Sequence, residues 1–387
     1  MKESQQSLDV DALIQRAQTL WRNASVGANR GRVELYAKAS LRMKATRSLD
    51  GAGVNIDRAF EAGTAVRTFA SGRALAGFAA SSGLSEEVVE WAVTTAGRNH
   101  GAANAAAPDA SEVIPDERRD VDGDQPFPAA DELSAGLMCR RDLDWIEAGT
   151  TAEVLVGLEG WIAARRRHRL WALVSGSDQR LLAQRGFRGW ERLLDSSPDV
   201  LTGIHHPNAG SDLVLLPRAA SVVVSALVEA FHGISAEWVD CGEAWDVIDD
   251  PANPDGLVGG SFDDAGFSTK TRTLAHAGVW VGGLRGPGTF RRPSFREPPR
   301  ETPSNLVMRG GSSNELQGLV VRRCHLLPVS PDEWVLELDP VGSTRAWVRV
   351  LPRRLLASCR ERDGGVIVTA EGPILPAIRF EGMARSG

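Results

Sequence analysis

The 387-residue chain lacks most of the marks that the common function classes leave in a sequence. It has no excess of positive charge: 44 Lys and Arg stand against 50 Asp and Glu, a formal net charge of -6, so nothing pulls it generally toward nucleic acid. No apolar run approaches the roughly 18 to 20 residues that a membrane helix needs. The opening "MKESQQSLDVDALIQ" carries no apolar h-region. Neither a membrane partner nor a secretory leader is therefore expected, and a cytoplasmic location is. The four cysteines, Cys139, Cys241, Cys324 and Cys359, are far apart and form no C-x-x-C pair, which points to neither a disulfide framework nor a Cys-rich zinc module. Also missing are a G-x-S-x-G elbow, a Walker loop and a G-x-G-x-x-G after a strand, and with them the usual serine hydrolase, NTPase and dinucleotide readings.

What is present is an ordinary globular composition, 42% hydrophobic, in a chain long enough for two or three domains. Residues 8 to 22 place Val10, Leu13, Ile14, Ala17, Leu20 and Trp21 on one helical face. "RVELYAK" alternates as a half-buried strand does, and "TAVRTFA" and "ALAGFAA" read as a hairpin around Ser71, Gly72 and Arg73. Ser85 caps a helix that begins with Glu86 and Glu87, where the helix dipole favours anions. The Ala-, Pro- and Asp-rich stretch 101–128 reads as an exposed connection, and 131–201 as alternating helix and strand. Within it, the "RRRHR" run at 165–169 is expected to be a solvated face or strand edge.

Further on, Pro217 opens the helix "RAASVVVSALVEAFHG", and many short apolar runs separated by Gly, Pro and Asn follow it. The expected class is α+β: N-terminal strands plus a helix, and a C-terminal, mainly antiparallel sheet or open barrel. The expected units are 1–105, 106–205 and 206–387.

One stretch bears on chemistry. "SALVEAFHGISAEW" has the outline of a zinc helix, in which H-E-x-x-H sets two imidazoles one turn apart with a glutamate between them. Here Glu229 and His232 are present, but Val228 occupies the place of the first histidine. Glu229 and His232 alone, three apart, could share a helix face as in di-iron bundles, which also need carboxylates from other helices. Near a helix end they read more simply as rim residues, making them only weak catalytic candidates.

Elsewhere, Cys324 and His325 are neighbours in a strand and point to opposite faces, so they cannot easily share a metal. His205 and His206 read as surface residues of a loop. Asp263 and Asp264, in the glycine-rich "GLVGGSFDDAGF", diverge as consecutive carboxylates do, which suits a turn or capping role.

The stretches "VELYAKAS", "AGTAVRTFASGRALAGFAASSGLSEEVVEWAVTTA", "VLLPRAASVVVSALVEAFHG", "SFDDAGFSTKTRTLAHAGVWVGGL", "PSNLVMRGG" and "ILPAIRFEGM" resemble, in order and spacing, the TldD/TldE (PmbA) proteins. Members of that family pair as a two-subunit zinc metallopeptidase. The catalytic TldD-type subunits carry H-E-x-x-x-H and a late Cys-Gly. In this chain Val228 stands at the first ligand, His232 falls one residue short of the second, and Glu371 and Gly372 stand at the late Cys-Gly.

The resemblance therefore implies a TldE-type subunit with no metal of its own. A TldD-like chain would form a heterodimer with it and supply zinc, and the complex would process small or unfolded peptides or a peptide-like biosynthetic intermediate. It also implies that Phe262, Asp263, Asp264 and Gly266 lie near the shared cavity. The alternatives are a self-standing homodimeric binding or scaffold protein on the same fold, and an autonomous metal hydrolase using Glu229 and His232.

Overall fold

The computed structural model describes residues 9–26, 32–48, 53–69, 75–96, 117–122, 125–174, 180–188, 204–205, 212–231, 245–292, 294–310, 312–313, 316–340, 345–363, 367–368, 374–375 and 378–380. Its first half is one sheet, built from β1 (Arg32–Arg47), β2 (Val54–Phe69), β3 (Leu75–Ser82), β4 (Glu117–Val121), β5 (Leu143–Val156), β6 (Ile162–Val174) and β7 (Arg180–Arg185). The strand order is β3-β2-β1-β5-β6-β4, and β7 also pairs with β6. Residues on both sides of position 105 thus belong to the same sheet.

Two expectations need correction here. The central region is not alternating helix and strand: β5 and β6 are long antiparallel partners, Val156 opposite Ile162 through to Leu143 opposite Val174. The connection 101–128 is not wholly exposed coil either, because β4 runs parallel to β6 from Glu117 opposite Ile162 to Val121 opposite Arg166.

Period-2 alternation assigns the faces of this sheet. One face is apolar: Val33, Leu35 and Ala37 of β1, Val154 and Val156 of β5 and Ala164 of β6 pack under two helices, α1 (Val10–Ser25) and α2 (Glu86–Ala96). Both helices follow from their sequences. In α1 the buried positions Val10, Leu13, Ile14, Ala17, Leu20 and Ala24 repeat at helical spacing, and Asp9 caps the first turn by accepting from the Asp11 N–H. Trp21 is partly buried at the edge of this stripe, its indole N–H donating to the Val33 carbonyl at 2.9 Å. A third helix, α3 (Ala130–Cys139), covers the same face lower down through Leu133 and Leu137.

The opposite face of the sheet is polar, yet most of its upper part is buried. That overturns the reading of β1 as half-buried: Glu34 and Tyr36 are as enclosed as Leu35. The cover comes from far along the chain, residues 262–296.

The second half holds the C-terminal strands in two larger sheets, mainly antiparallel. One includes Trp245–Asp249, Arg272–His276 and Leu306–Gly310; the other includes Leu213–Leu215, Leu319–Ser330, Glu333–Pro340 and Ala346–Val350. The helix α4 (Pro217–Ala230), with Pro217 in its first turn, sits in the apolar core that both sheets contribute to, among Val247, Leu274, Trp280, Val321, Leu336 and Leu338.

Candidate functional site

The zinc-helix candidates separate in space. Val228 is 1% exposed and belongs to the C-terminal apolar core, so the place of the first ligand holds a packed isopropyl group with no donor atom. Glu229, the next residue, is exposed. His232, His206, Cys241 and Glu371 lie outside the described residues, and His205 is described only as a strand residue beside Gln317. Cys324 is buried with its thiol donating to the Ala219 carbonyl at 3.3 Å, and burial pushes that thiol up to about 12. Its neighbour His325 is exposed on the other face of the strand. A catalytic zinc needs three protein ligands around an open position, and Val228, Glu229 and Cys324 do not fit that group.

The chemistry-bearing residues that do converge lie on the polar face of the first sheet. Cross-strand register puts Arg67 (β2) opposite Glu34 (β1), and Lys38 (β1) opposite Glu153 (β5), which in turn faces Arg165 (β6). Glu34 accepts two hydrogen bonds from Arg67, at 2.7 and 2.6 Å, with both side chains 1% exposed. That is the bidentate geometry in which a guanidinium binds a carboxylate best.

Tyr36, the only tyrosine in the chain, donates to Glu153 Oε1 at 2.7 Å. Burial and the adjacent Glu153 carboxylate hold its phenol well above the usual value. Arg165 is the clasp: its Nε donates to Glu153 Oε2 and its Nη2 to Asp264 Oδ1, which ties the sheet to the second half of the chain. Burial opposes ionisation of Glu153 and Asp264, but Arg165 together with Lys38, Arg167 and the Tyr36 hydroxyl at Glu153, and with Arg291 and the Arg292 N–H at Asp264, holds both carboxyls below the ordinary range. The "RRRHR" run is accordingly no solvated face. Arg165, Arg167 and His168 are buried, because the 262–296 segment covers one side of β6 and the helical layer lies on the other.

The four residues expected near a cavity lie in this seam and are enclosed. The Asp263 carboxylate accepts from four backbone N–H groups, those of Ala265 and Phe267 at 2.9 Å, Gly288 at 2.8 Å and Phe290 at 3.1 Å. This is the turn-fixing role its sequence context suggested. Burial pushes Asp263 up to about 6, against the pull of Arg291 and those N–H donors. Asp264 diverges from it toward Arg165 and accepts from the Arg292 N–H at 2.5 Å.

Phe262 joins Tyr36, Phe78, Leu155 and Phe295 in a small apolar cluster at the seam. Gly266 has φ +94°, and a Cβ there would stand 2.2 Å from the Trp161 ring, so only glycine fits. Arg292 lies over the Tyr36 ring at 4.6 Å, and burial, then Arg67, lowers its guanidinium to about 10. All four candidates thus close the seam, with their polar atoms engaged by the chain itself.

Below the seam the same polar face opens into a groove of about 480 Å³ between the sheet and residues 294–296. Lys38, Arg42, Arg169 and Arg296 line it with Glu61, Thr151 and Trp171. Of these, the sequence marked only Arg169, with Arg165, as part of the 165–169 run expected to be solvated; Lys38, Arg42, Glu61, Arg296, Glu34, Arg67 and Glu153 carried no local motif. The signal was there: polar residues recur at every second position of β1 (Glu34, Tyr36, Lys38, Ser40, Arg42) and of β6 (Arg165, Arg167, Arg169). Among the described residues no group of three or more His, Cys, Asp or Glu is placed to hold a metal ion.

No family model matches the sequence, and no curated protein matches it. Solved structures do. The fold aligns with TldE from Thermococcus kodakarensis at a TM-score of 0.65 and 16% identity, covering 95% of this chain and 98% of that one. The fold is that of the TldD/TldE proteins. A proposed modulator of DNA gyrase from Bacteroides thetaiotaomicron aligns at 0.59 and 14% identity, over 95% of this chain and 97% of that one. Another, from Thermotoga maritima, aligns at 0.58 and 13% identity, over 95% and 99%. At these identities the TldE likeness speaks for the fold, and for the α+β class and the C-terminal sheets expected from the sequence. No helix among the described residues is long and apolar enough to cross a membrane.

Proposed function

We propose that this chain is the metal-free subunit of a two-chain zinc peptidase of the TldD/TldE kind. A TldD-like chain supplies the zinc and its general base, and this chain completes the cavity in which a small or unfolded peptide, or a peptide-like biosynthetic intermediate, is processed. The observation that carries the reading is Val228. On a TldE-type fold, the position where a catalytic subunit needs its first imidazole is a core valine, 1% exposed, and a histidine there would force a larger, polar ring into the C-terminal core.

A second observation supports a partner. The hairpin Leu319–Ser330/Glu333–Pro340 and the adjacent strand Ala346–Val350 leave Leu327, Val329 and Trp347 exposed, an apolar set at the edge of a sheet, where unpartnered surface tends to mark an interface. The test is co-expression with a TldD-like chain from the same source, followed by mass, zinc content and peptide cleavage. A one-to-one complex holding about one zinc per pair and cleaving peptides supports the proposal. A chain that stays a homodimer beside the TldD-like protein favours the self-standing binding or scaffold reading.

A further inference from the structure

The groove below the seam is not used by the zinc reading, and its composition is specific. Four cationic side chains line it, Lys38, Arg42, Arg169 and Arg296, against one lining carboxylate, Glu61. The nearest other acids are already committed or distant. Glu153, 3.9 Å from Lys38, is held by Arg165 and Tyr36, and Glu147 approaches Arg42 only to 3.9 Å. Arg296 leans out to donate to Ser82 Oγ at 3.2 Å.

Arg169 is the informative residue. It stands on β6 opposite Gly149, its Nε is buried, and that nitrogen has no hydrogen-bond partner among the described residues. A buried guanidinium nitrogen without an acceptor is costly, and it marks where an acceptor from outside would be welcome. Beside it the six-membered ring of Trp171 packs against Gly149, where a Cβ would come within 3.0 Å of the ring, so the glycine leaves room for the indole in the groove wall.

We propose that this groove binds the terminal carboxylate of a peptide. Arg169 is the deep anchor, Lys38, Arg42 and Arg296 surround the charge, and the last side chain of the peptide lies on Trp171. A planar carboxylate matches the fork of an arginine. Glu61 at the rim opposes a dianion but accepts a peptide N–H, which favours a ligand that brings both groups. A volume of about 480 Å³ holds the end of a peptide and not a folded domain. The inference deepens the peptidase-subunit reading and rests on it only for the identity of the ligand as a peptide.

The experiment uses the full chain alone, without zinc or partner, so its outcome is separate from that of the complex. Calorimetric titration at low salt compares N-acetyl-Ala-Ala-Leu with its C-terminal amide and with inorganic phosphate. The acid is expected to bind about tenfold or more tightly than the amide. Arg42→Glu, at a side chain 56% exposed, and Arg296→Ala are expected to weaken binding without moving the melting temperature. Arg169→Gln is expected to weaken it most, and if that variant unfolds the two surface variants carry the test. Equal affinity for acid and amide, binding of phosphate alone, no binding of any probe at millimolar concentration, or undiminished binding by Arg42→Glu each overturns the proposal.

Discussion

Around α4, Val228, Leu336 and Leu338 pack in an apolar cluster, whereas where the 262–296 segment meets the first sheet, Glu34, Arg67 and Arg165 of the sheet are buried with Asp264 of the segment, and Glu153 partly so, in one patch. Both regions exclude water, but they do so with different consequences. An apolar core accepts many residues of suitable volume, so its contacts specify little beyond shape. A buried charge tolerates only its partner in place, so Arg165 between Glu153 and Asp264 fixes how the two halves of the chain meet. In the C-terminal core Val228 offers packing and no donor atom. The charged seam explains why a run of arginines is inside the protein.

The sharpest way to break the comparison is Arg165→Met, which fills the space and removes the charge. Two carboxylates are then left buried against each other, and chemical denaturation is expected to register a loss of about 3–5 kcal/mol. Leu338→Ala, fully buried in the apolar core, is expected to cost about 3 kcal/mol, with no change in how stability responds to salt or acid.

A smaller effect tests the docking itself. A Cβ on Gly63 would lie 2.2 Å from Phe295 Cε2, so Gly63→Ala is expected to lift the segment from the sheet at a cost of about 1–3 kcal/mol. The smallest is pH. Glu153 and Asp264 are held below their ordinary values, so their contribution is fully present above the unfolded carboxyl range and is lost as pH falls through and below it. Asp263, raised to about 6, has the opposite sign: its burial cost is relieved as pH falls through 6 toward its unfolded value of 3.8, which offsets part of that loss. Melting temperature measured from pH 7 to pH 3 is expected to fall most steeply at the acid end, and Arg165→Met is expected to flatten that fall.

Much of this was legible in the sequence where the signal is local. The period of Val10, Leu13, Ile14 and Ala17, the cap at Ser85, with the Val88 N–H 3.3 Å from its Oγ, and Pro217 at the start of α4 each declare an element through a few neighbouring residues. The missing imidazole at Val228 was equally plain. The burial of the "RRRHR" run was not, because what covers it is Asp264, 99 residues away, and no local pattern encodes such a contact. The same distance hid the strands of the central region: in β6 apolar and charged residues both end up buried, so the hydrophobic alternation that usually marks a strand is weak.

The most direct test is the zinc content of the isolated, full-length chain, purified without chelator and measured by elemental analysis beside its His232→Ala variant. The account predicts far less than one zinc per chain, unchanged in the variant. One tightly held zinc per chain, lost on His232→Ala, would contradict it and make this helix a working metal site.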